Sequence, residues 1–406
     1  MNERTRSVTS QDEVRRNNLS RLLEHLHVSG SATRSELANL TGLNRSTVGA
    51  LVGELTEMGL VEQGAGAAEG VGRPSISVSV VPEAAIVLAF DLRVERTIGA
   101  LVGLGGMVLH TIERQHQRRG FDPKFAANDL ADLAVELFAH ASQNSAWVCT
   151  AICLPGMVSN PGGVVRFAPN LEWTDAPFGA LVNAAFVERF GTAPRTIVRN
   201  DADLGALGEC VRGVAVGAKD VLYIAGDVGI GGGVVLDGRL LVGAGGLGGE
   251  VGHMKVMSPG KSCRCGESGC WETEIGSEAI VRAAGFDPST HELSDTIEAA
   301  EAGDQRARDA IEEARKWLGI GIGNLANVLN PQCVVLGGHL ANLIRSGMAA
   351  EDLLLSSALA APRSQVRIVV TEPGRSGPLI GAAECAFEEL LNNPVLGMQR
   401  AARVAA

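Results

Sequence analysis

The sequence predicts an α/β protein with an N-terminal winged helix-turn-helix domain and, after it, a two-lobed domain with a structural metal site. Short amphipathic helices separated by turn glycines and followed by an alternating strand fill residues 1–82. Buried-type strands then recur in two rounds, and one histidine and three cysteines lie within eighteen glycine-rich residues. We therefore expect a first lobe of residues 83–197 plus 374–406, and a second lobe of residues 198–373 with the metal site and an oligomerisation surface.

The composition is that of a globular protein with several cores. At 406 residues and 46% hydrophobic content, the chain is long enough for about three domains. It has no run of 18 apolar residues and its first thirty residues are polar, so we expect neither a membrane span nor a signal peptide, and a cytoplasmic location. The net charge of −11 argues against general binding to nucleic acids. Residues 1–80 differ, because eight arginines there accompany nine acidic residues.

Apolar spacing and helix caps predict the first two helices. An i, i+3, i+4, i+7 series defines the first helix, and its members are Leu19, Leu22, Leu23 and Leu26. A capping box of Thr33 and Glu36 opens the second helix, which we expect to turn Leu37 and Leu40 inward and to end at Gly42.

A third helix and the strands after it complete the winged motif. Asn44 caps this helix, and its expected inner face consists of Val48, Leu51, Val52, Leu55 and Met58. In such motifs the second helix of the pair enters the major groove with its first residues at base edges, and a wing arginine suits a narrow minor groove. The residues predicted to contact DNA are Arg34, Ser35, Asn44, Arg45, Ser46, Thr47 and, in the wing, Arg73. The alternative is a helical interaction module with solvated arginines.

Beyond Val81 the pattern becomes that of a duplicated α/β fold. The segment 86–91 is a buried strand that ends in Asp91, the segment 196–199 leads into Asn200-Asp201, and the segment 221–225 leads into a glycine-rich turn. Two rounds of three strands, a helix and a further strand predict two lobes, and ligands commonly bind in the cleft between such lobes.

One histidine and three cysteines predict a structural zinc site. His253, Cys263, Cys265 and Cys270 form a standard tetrahedral ligand set, although their spacing is not that of a zinc finger. The alternatives are buried small side chains or a disulfide, but the neighbours of Cys263 and Cys265 are polar, unlike those of a core strand. We expect one Zn²⁺ per chain. The other five cysteines lie mostly in apolar runs and are expected to be reduced core residues.

These motifs together closely resemble the ROK family of repressors, open reading frames and kinases. The resemblance rests on residues 249–253, on residues 263–272 with their three cysteines and on Asn200-Asp201-Ala202, and it covers about residues 84–390. The helix-turn-helix extends it to the branch of xylose, N-acetylglucosamine and glucose repressors. It implies an actin-like, hexokinase-like pair of lobes that closes on a sugar, with the zinc site bracing one wall of the pocket.

The resemblance also implies a set of sugar contacts. The matching positions are Gly156, Asn170, Asn200, Asp201, Glu250, His253 and Glu272. In kinases of the family the aspartate at position 201 would be the general base, and the histidine would reach both zinc and sugar. The asparagines could instead be turn residues, and the glutamates could support the zinc ligands.

Two departures from the kinase pattern predict a protein that is not an enzyme. After Asp91, where kinases have a small glycine-rich turn, the chain has bulky and acidic residues including Val94 and Glu95. Asp227 replaces the threonine expected after Gly226, which places negative charge where phosphates would lie.

The expected function is sugar-responsive transcriptional regulation, most simply repression of carbohydrate uptake or catabolism genes. The expected partners are operator DNA, a small sugar or sugar phosphate, and further copies of the chain in a homodimer or homotetramer. Two alternatives remain: a sugar kinase with a fused DNA-binding domain, and a regulator controlled by a phosphotransfer-system protein.

Overall fold

The computed structural model describes residues 11–65, 76–116, 122–227, 229–345 and 354–403. Its N-terminal domain has three helices and a small antiparallel sheet in which β3 lies between β1 and β2. In chain order these elements are α1 (Gln11–Ser29), β1 (Ser31–Thr33), α2 (Arg34–Thr41), α3 (Arg45–Glu57), β2 (Val61–Ala65) and β3 (Ile76–Val80). The predicted winged helix-turn-helix is confirmed, and β1 is an additional strand.

The predicted caps fix the helix-turn-helix. Thr33 Oγ1 accepts from the Glu36 amide at 3.2 Å, and the Glu36 carboxylate accepts from the Thr33 amide at 2.6 Å. Gly42 ends α2 with φ 72°, which a glycine adopts without strain. The prediction that Leu40 points inward was wrong, since 40% of its surface is exposed. The short α2 packs into the core through Leu37, while its last turn faces solvent.

The first lobe is built on a sheet with the order β11-β7-β4-β5-β6. Its strands are β4 (Ala85–Leu92), β5 (Arg96–Gly103), β6 (Met107–Gln115), β7 (Ala146–Leu154) and β11 (Arg195–Asn200). Helices α4 (Pro123–Phe138) and α5 (Phe178–Phe190) pack together beside it, and a small sheet precedes α5, made of β8 (Met157–Ser159), β9 (Val164–Ala168) and β10 (Trp173–Ala176). Strand β11 continues three residues beyond the lobe boundary predicted at residue 197.

The second lobe repeats this topology with the order β14-β13-β12-β15-β16. Its strands are β12 (Val221–Gly226), β13 (Ile230–Leu236), β14 (Arg239–Leu240), β15 (Cys333–Gly337) and β16 (Arg367–Val370). Its helices are α7 (Glu272–Ile275), α8 (Ser277–Ala283), α9 (Leu293–Glu301), α10 (Gln305–Leu329), α11 (Gly338–Arg345) and α12 (Ala360–Arg363). In each sheet the first strand pairs antiparallel with the second and parallel with a later strand, as expected of a duplicated fold.

Two helices pack against each other where the lobes meet. Helix α6 (Asp201–Arg212) joins the lobes, and α13 (Gly377–Asn392) covers β4 and β7 before α14 (Pro394–Arg400) and β17 (Ala402–Arg403) end the described chain. Their backbones touch through glycines: a Cβ at Gly381 would overlap the carbonyl oxygen of Leu204, and one at Gly208 would overlap that of Gly377.

The N-terminal domain shares a hydrophobic core with the first lobe. Leu22 and Val52 of the helix-turn-helix belong to the same cluster of buried side chains as Val87 of the first sheet and Phe387 of α13. The domain is therefore anchored by apolar burial as well as by the chain connection.

We predict that Gly381→Ala lowers the stability of the protein. The new methyl group would force α6 and α13 apart, at a cost of about 1–3 kcal/mol. Thermal or urea unfolding measures this effect. Gly53→Ala in α3 is the matched control, because nothing lies within 4 Å of its added Cβ, and the exchange of a helical glycine for alanine should be neutral or stabilising by up to about 1 kcal/mol. Equal effects of both substitutions would contradict the close packing.

Candidate functional site

A cleft of about 990 Å³ lies between the two lobes. Every residue that the sequence predicted as a ligand contact lines it, namely Gly156, Asn170, Asn200, Asp201, Glu250, His253 and Glu272. The first three come from the first lobe, and the last three come from the second-lobe segment 250–272, which contains the three cysteines of the cluster. The fold thus brings together polar side chains from segments more than a hundred residues apart.

Asn200 links the Gly156 loop to the start of α6 through the hydrogen bonds of its side chain. Its Oδ1 accepts from the amides of Ala202 at 2.8 Å and Asp203 at 3.1 Å, so it caps α6. Its Nδ2 donates to the carbonyl of Gly156 at 3.0 Å. The side-chain amide is therefore engaged on both sides, which is the turn role considered above. Gly156, with φ 152°, has no room for a Cβ, which would lie 2.7 Å from that of Ala168.

Asp201, the first residue of α6, lies among other carboxylates. Burial, together with the charges of Asp91 and Asp227, raises its pKa to about 7. Burial also raises the pKa of Asp203 to about 7 and that of Glu250 above its usual range. A sugar hydroxyl can donate to such carboxylates or accept from their protonated forms, so this end of the cleft suits a polyhydroxylated ligand.

The four predicted zinc ligands converge in the second lobe. One ligand atom from each of His253, Cys263, Cys265 and Cys270 lies within 4.8 Å of all the others. Cys265 Sγ is 3.7 Å from Cys270 Sγ, and Cys263 Sγ is 3.7 Å from His253 Nδ1. Tetrahedral zinc with bonds of about 2.3 Å to sulfur requires edges of about 3.8 Å, so the site fits the ion. A disulfide would need sulfurs about 2.05 Å apart.

The cysteine cluster forms one wall of the cleft. Glu272 Oε1 lies 2.8 Å from Cys263 Sγ and 3.7 Å from His253 Nδ1, so this carboxylate is placed by the same loop that could hold the metal. Gly269, with φ 76°, lets the loop pass against the carbonyl of Met257, where a Cβ would overlap.

Arg264 crosses the cleft and was not predicted from the sequence. It lies between two cysteines of the cluster, and its Nη2 pairs with both oxygens of Glu278 at 2.8 and 2.9 Å. Its Nη1 donates to Asn170 Oδ1 of the first lobe at 3.3 Å. The metal loop therefore contacts the opposite lobe directly.

Arg93 occupies the region where the sequence predicted unfavourable contacts for phosphates. Its Nε and Nη2 donate to Asp91 Oδ2 at 2.9 and 2.8 Å, and its Nη1 lies 3.9 Å from Asp227 of the second lobe. Burial opposes the charge of Arg93, but Asp91 and Asp227 outweigh it and raise the pKa of the guanidinium. Val94 and Glu95 line the same end of the cleft.

The predicted DNA contacts fall into two groups. Ser35, Asn44, Arg45 and Ser46 are exposed at the starts of α2 and α3. The Asn44 carboxamide caps α3 and also accepts from the hydroxyls of Ser46 and half-buried Thr47. Arg34 is half-buried and hydrogen-bonds to Gln63 of β2, so it supports the wing. Arg73 lies outside the described residues.

A winged helix-turn-helix fused to a two-lobed cleft, with a histidine and cysteine cluster that could hold a metal, defines a ligand-controlled DNA-binding regulator. The chain belongs to the ROK family, whose family model matches residues 99–389, and a MarR family model matches residues 20–73. None of the helices in the described part of the chain is long and apolar enough to cross a membrane.

The chain is similar to both regulators and kinases of this family. A xylose repressor of Bacillus spizizenii is 26% identical over 395 residues, which cover 95% of this chain and 98% of that protein. A solved ROK family transcriptional regulator, a homologue of Escherichia coli Mlc, superposes with a TM-score of 0.75 at 24% identity, covering 95% of this chain and 99% of that one. A ROK family glucokinase from Streptomyces griseus, solved with glucose and AMPPNP, gives a TM-score of 0.60 at 26% identity and covers 75% of this chain and 99% of its own.

We predict that Asp201→Asn stabilises the protein increasingly as pH rises from 4 to 7. Because the folded pKa of about 7 lies above the usual value of 3.8, the folded state binds more protons in this range, and the carboxylate costs stability as it ionises. The gain should reach about 1–3 kcal/mol at neutral pH, since the half-buried carboxylate keeps part of its hydration. Unfolding titrations at several pH values measure it. A constant difference between variant and parent would rule out the raised pKa.

Proposed function

We propose that this chain is a sugar-responsive transcriptional repressor whose two-lobed domain binds a sugar without phosphorylating it. The convergence of Asp201, Glu250 and Glu272 in one cleft, in a chain that also carries a winged helix-turn-helix, is the observation that supports this most strongly. Repressors among its relatives match nearly the whole chain, including the N-terminal domain.

The sugar would lie between the two lobes. Asp201 and the Gly156 loop contribute from the first-lobe side, with Asn200 holding both in position, while Glu250, Glu272 and His253 contribute from the second lobe. Carboxylates are the strongest acceptors for hydroxyl groups, and a ligand that touches both lobes favours their closed arrangement.

The cysteine cluster would hold one structural Zn²⁺. The ion would neutralise the thiolates of Cys263, Cys265 and Cys270 and fix their loop. With His253 Nδ1 on the cysteine side, Nε2 points away from the sulfurs and can serve the ligand. Glu272 follows Cys270 by two residues, so rigidity of the loop orients this carboxylate.

The absence of kinase activity is part of the proposal. The Arg93 guanidinium lies between buried Asp91 and exposed Asp227, and it would occupy the part of the cleft where a kinase would bring the phosphates of its nucleotide. The guanidinium of Arg93 is a cation of the chain itself. It pairs with these two carboxylates and occupies the space between the lobes. Since the glucokinase fold is the same, kinase activity is the alternative that an assay must exclude.

Operator DNA and a second copy of the chain are the proposed macromolecular partners. Recognition helices in dimers read two half-sites about one helical turn apart, and the nearly neutral N-terminal domain gains affinity from pairing. A regulator of this kind acts on chromosomal DNA, so its proposed location is the cytoplasm. A phosphotransfer-system protein as effector, in place of a free sugar, is the second regulatory possibility, and a pull-down from sugar-fed cells tests it.

Calorimetric titration with hexoses, pentoses, amino sugars and their phosphates tests the sugar site. We expect at least one sugar to bind the parent protein, and Asp201→Asn to weaken that binding by about 1–3 kcal/mol through loss of a charged hydrogen bond. ATP consumption with the same sugars should stay at background. Turnover of ATP, or no binding by any sugar, would contradict the proposal.

Cys263→Ser tests the coupling of metal and sugar. We expect it to bind less than one equivalent of zinc, measured by elemental analysis, and to lose the effect of sugar on DNA binding. Cys210→Ser, which lies on α6 outside the cluster, is the control and should keep both. Full sugar-induced release from DNA without zinc would refute the coupling.

Arg45→Ala tests the DNA-reading surface. A DNA fragment selected from a randomised duplex pool should bind the variant about 1–3 kcal/mol more weakly than the parent, while sugar affinity stays unchanged. Arg189→Ala, an exposed first-lobe arginine paired with Asp132, is the charge-matched control. Equal DNA binding by Arg45→Ala and the parent would remove Arg45 from the interface.

A further inference from the structure

A buried polar cluster joins the N-terminal domain to the first lobe. Its members are His27 of α1, Arg212 at the end of α6 and Glu384 of α13. The His27 side chain is fully buried, and 5% of the Glu384 side chain is exposed. Buried charged groups are costly unless they are paired. These residues are paired only when the two domains are docked as observed, so the cluster favours this docking over others.

The neighbours of His27 determine which of its two ring nitrogens carries the hydrogen. The Gly105 amide donates to His27 Nδ1 at 2.9 Å, so Nε2 carries the hydrogen that is donated to Glu384 Oε2 at 3.0 Å. Arg212 pairs with the other oxygen of Glu384 and donates through Nη2 to the backbone carbonyl of His27 at 3.0 Å. His27 thus contacts three separate elements of the two-lobed domain.

Both helices that bring partners to His27 begin at the cleft. Helix α6 starts at Asp201, behind its Asn200 cap, and ends at Arg212; its twelve residues span about 18 Å. Helix α13 is capped by Ser376, whose Oγ donates to Asp91 Oδ2 at 3.2 Å, and it reaches Glu384 two turns later. Helix α6 therefore connects the cleft carboxylate Asp201 with the cluster, and α13 connects the cluster with buried Asp91, which is paired with the cleft residue Arg93.

The two helices are in direct backbone contact. Gly208 and Gly381 bring the backbones into contact, with no space for even a methyl group between them. Because the backbones are in contact, a shift of either helix at its cleft end changes the packing along the pair up to the far ends, where Arg212 and Glu384 lie.

We propose that Glu384 is a positioning residue that couples the sugar cleft to the DNA-binding domain through His27 and Arg212. The proposal rests on the proposed function above and adds the physical connection between its two sites. Helix α6 packs on β12 and β13 of the second lobe, and α13 packs on β4 and β7 of the first lobe. Sugar binding that changes the angle between the lobes therefore acts on the contact between these two helices, and the Glu384 cluster makes α1 follow their far ends.

The charge of Glu384 is what holds the three groups together. Burial opposes ionisation of Glu384, but the hydrogen bond from His27 and the charge of Arg212 outweigh burial and lower the pKa of the carboxyl group. Replacement by an amide keeps the shape but removes the counter-charge of Arg212, which weakens the joint without opening a cavity.

Glu384→Gln in the full-length protein is the test, with D-xylose, D-glucose and the DNA fragment selected above as probes. We expect sugar affinity to stay within about twofold of the parent, while the ratio of DNA affinities without and with sugar falls at least about fivefold. Glu388→Gln is the matched control, because this glutamate is exposed one turn further along α13. It should keep the parent ratio.

Arg212→Met and Arg212→Lys provide a second pair of variants, should Glu384→Gln fold poorly. The methionine should lose the coupling, and the lysine, which keeps the charge, should retain most of it at equal sugar affinity. If the parent responds to sugar and all of these variants respond equally, the inference is overturned and the proposed function stands. If the parent responds to neither sugar nor any other member of the panel, the proposed function itself fails, and the inference with it.

Discussion

The cap that Asn200 places on α6 is the interaction on which the rest of the site depends. This single side chain ends β11, starts α6 and binds the Gly156 loop. It therefore fixes the distance between the first-lobe sheet and the helix that leads into the second lobe. Without it, Asp201 would have no defined position among the acidic groups of the cleft. Burial, together with the charges of Asp91 and Asp227, raises the pKa of Asp201 to about 7.

The negative charge at and beside the cleft bears directly on the proposal that it binds a sugar and not a nucleotide. Asp91, Asp201 and Asp227 lie near one another, and a kinase would need bound cations to bring a triphosphate to such a place. Here Arg93 supplies the counter-charge from the chain itself and spans the two lobes. A neutral sugar needs acceptors and no counter-ion, so under the proposed function the cleft would bind carbohydrate without binding nucleotide.

Local patterns predicted the parts of this structure that local interactions form. The capping box at Thr33, the cap at Asn44 and the four-ligand cluster depend on residues close in sequence, and the structure shows each of them. Strand β1 and the exposed Leu40 were not predicted, because β1 forms only by pairing with the distant β3, and Leu40 sits on a helix too short for its spacing to be informative.

Contacts between residues far apart in the chain could not be predicted from local sequence patterns. Arg264 meets Asn170 across 94 positions, and His27 meets Glu384 across 357. Nothing in the neighbourhood of either residue distinguishes it from a solvated surface residue. Asn200 and Asp201 entered through a family resemblance, and only the fold shows that the first of them caps the helix that begins at the second.

The shared core of the N-terminal domain and the first lobe limits how a sugar could act on DNA binding. Val52 of α3 and Val87 of β4 belong to one cluster of buried side chains, so separating the two domains would expose apolar surface at about 25 cal/mol per Å². A sugar contact worth a few kcal/mol would have to offset that cost before the two domains could separate. It can shift the angle between two packed lobes, and in a dimer a small rotation of each first lobe changes the spacing of two recognition helices. Coupling by rotation of a rigid unit is therefore favoured over release of a flexible domain.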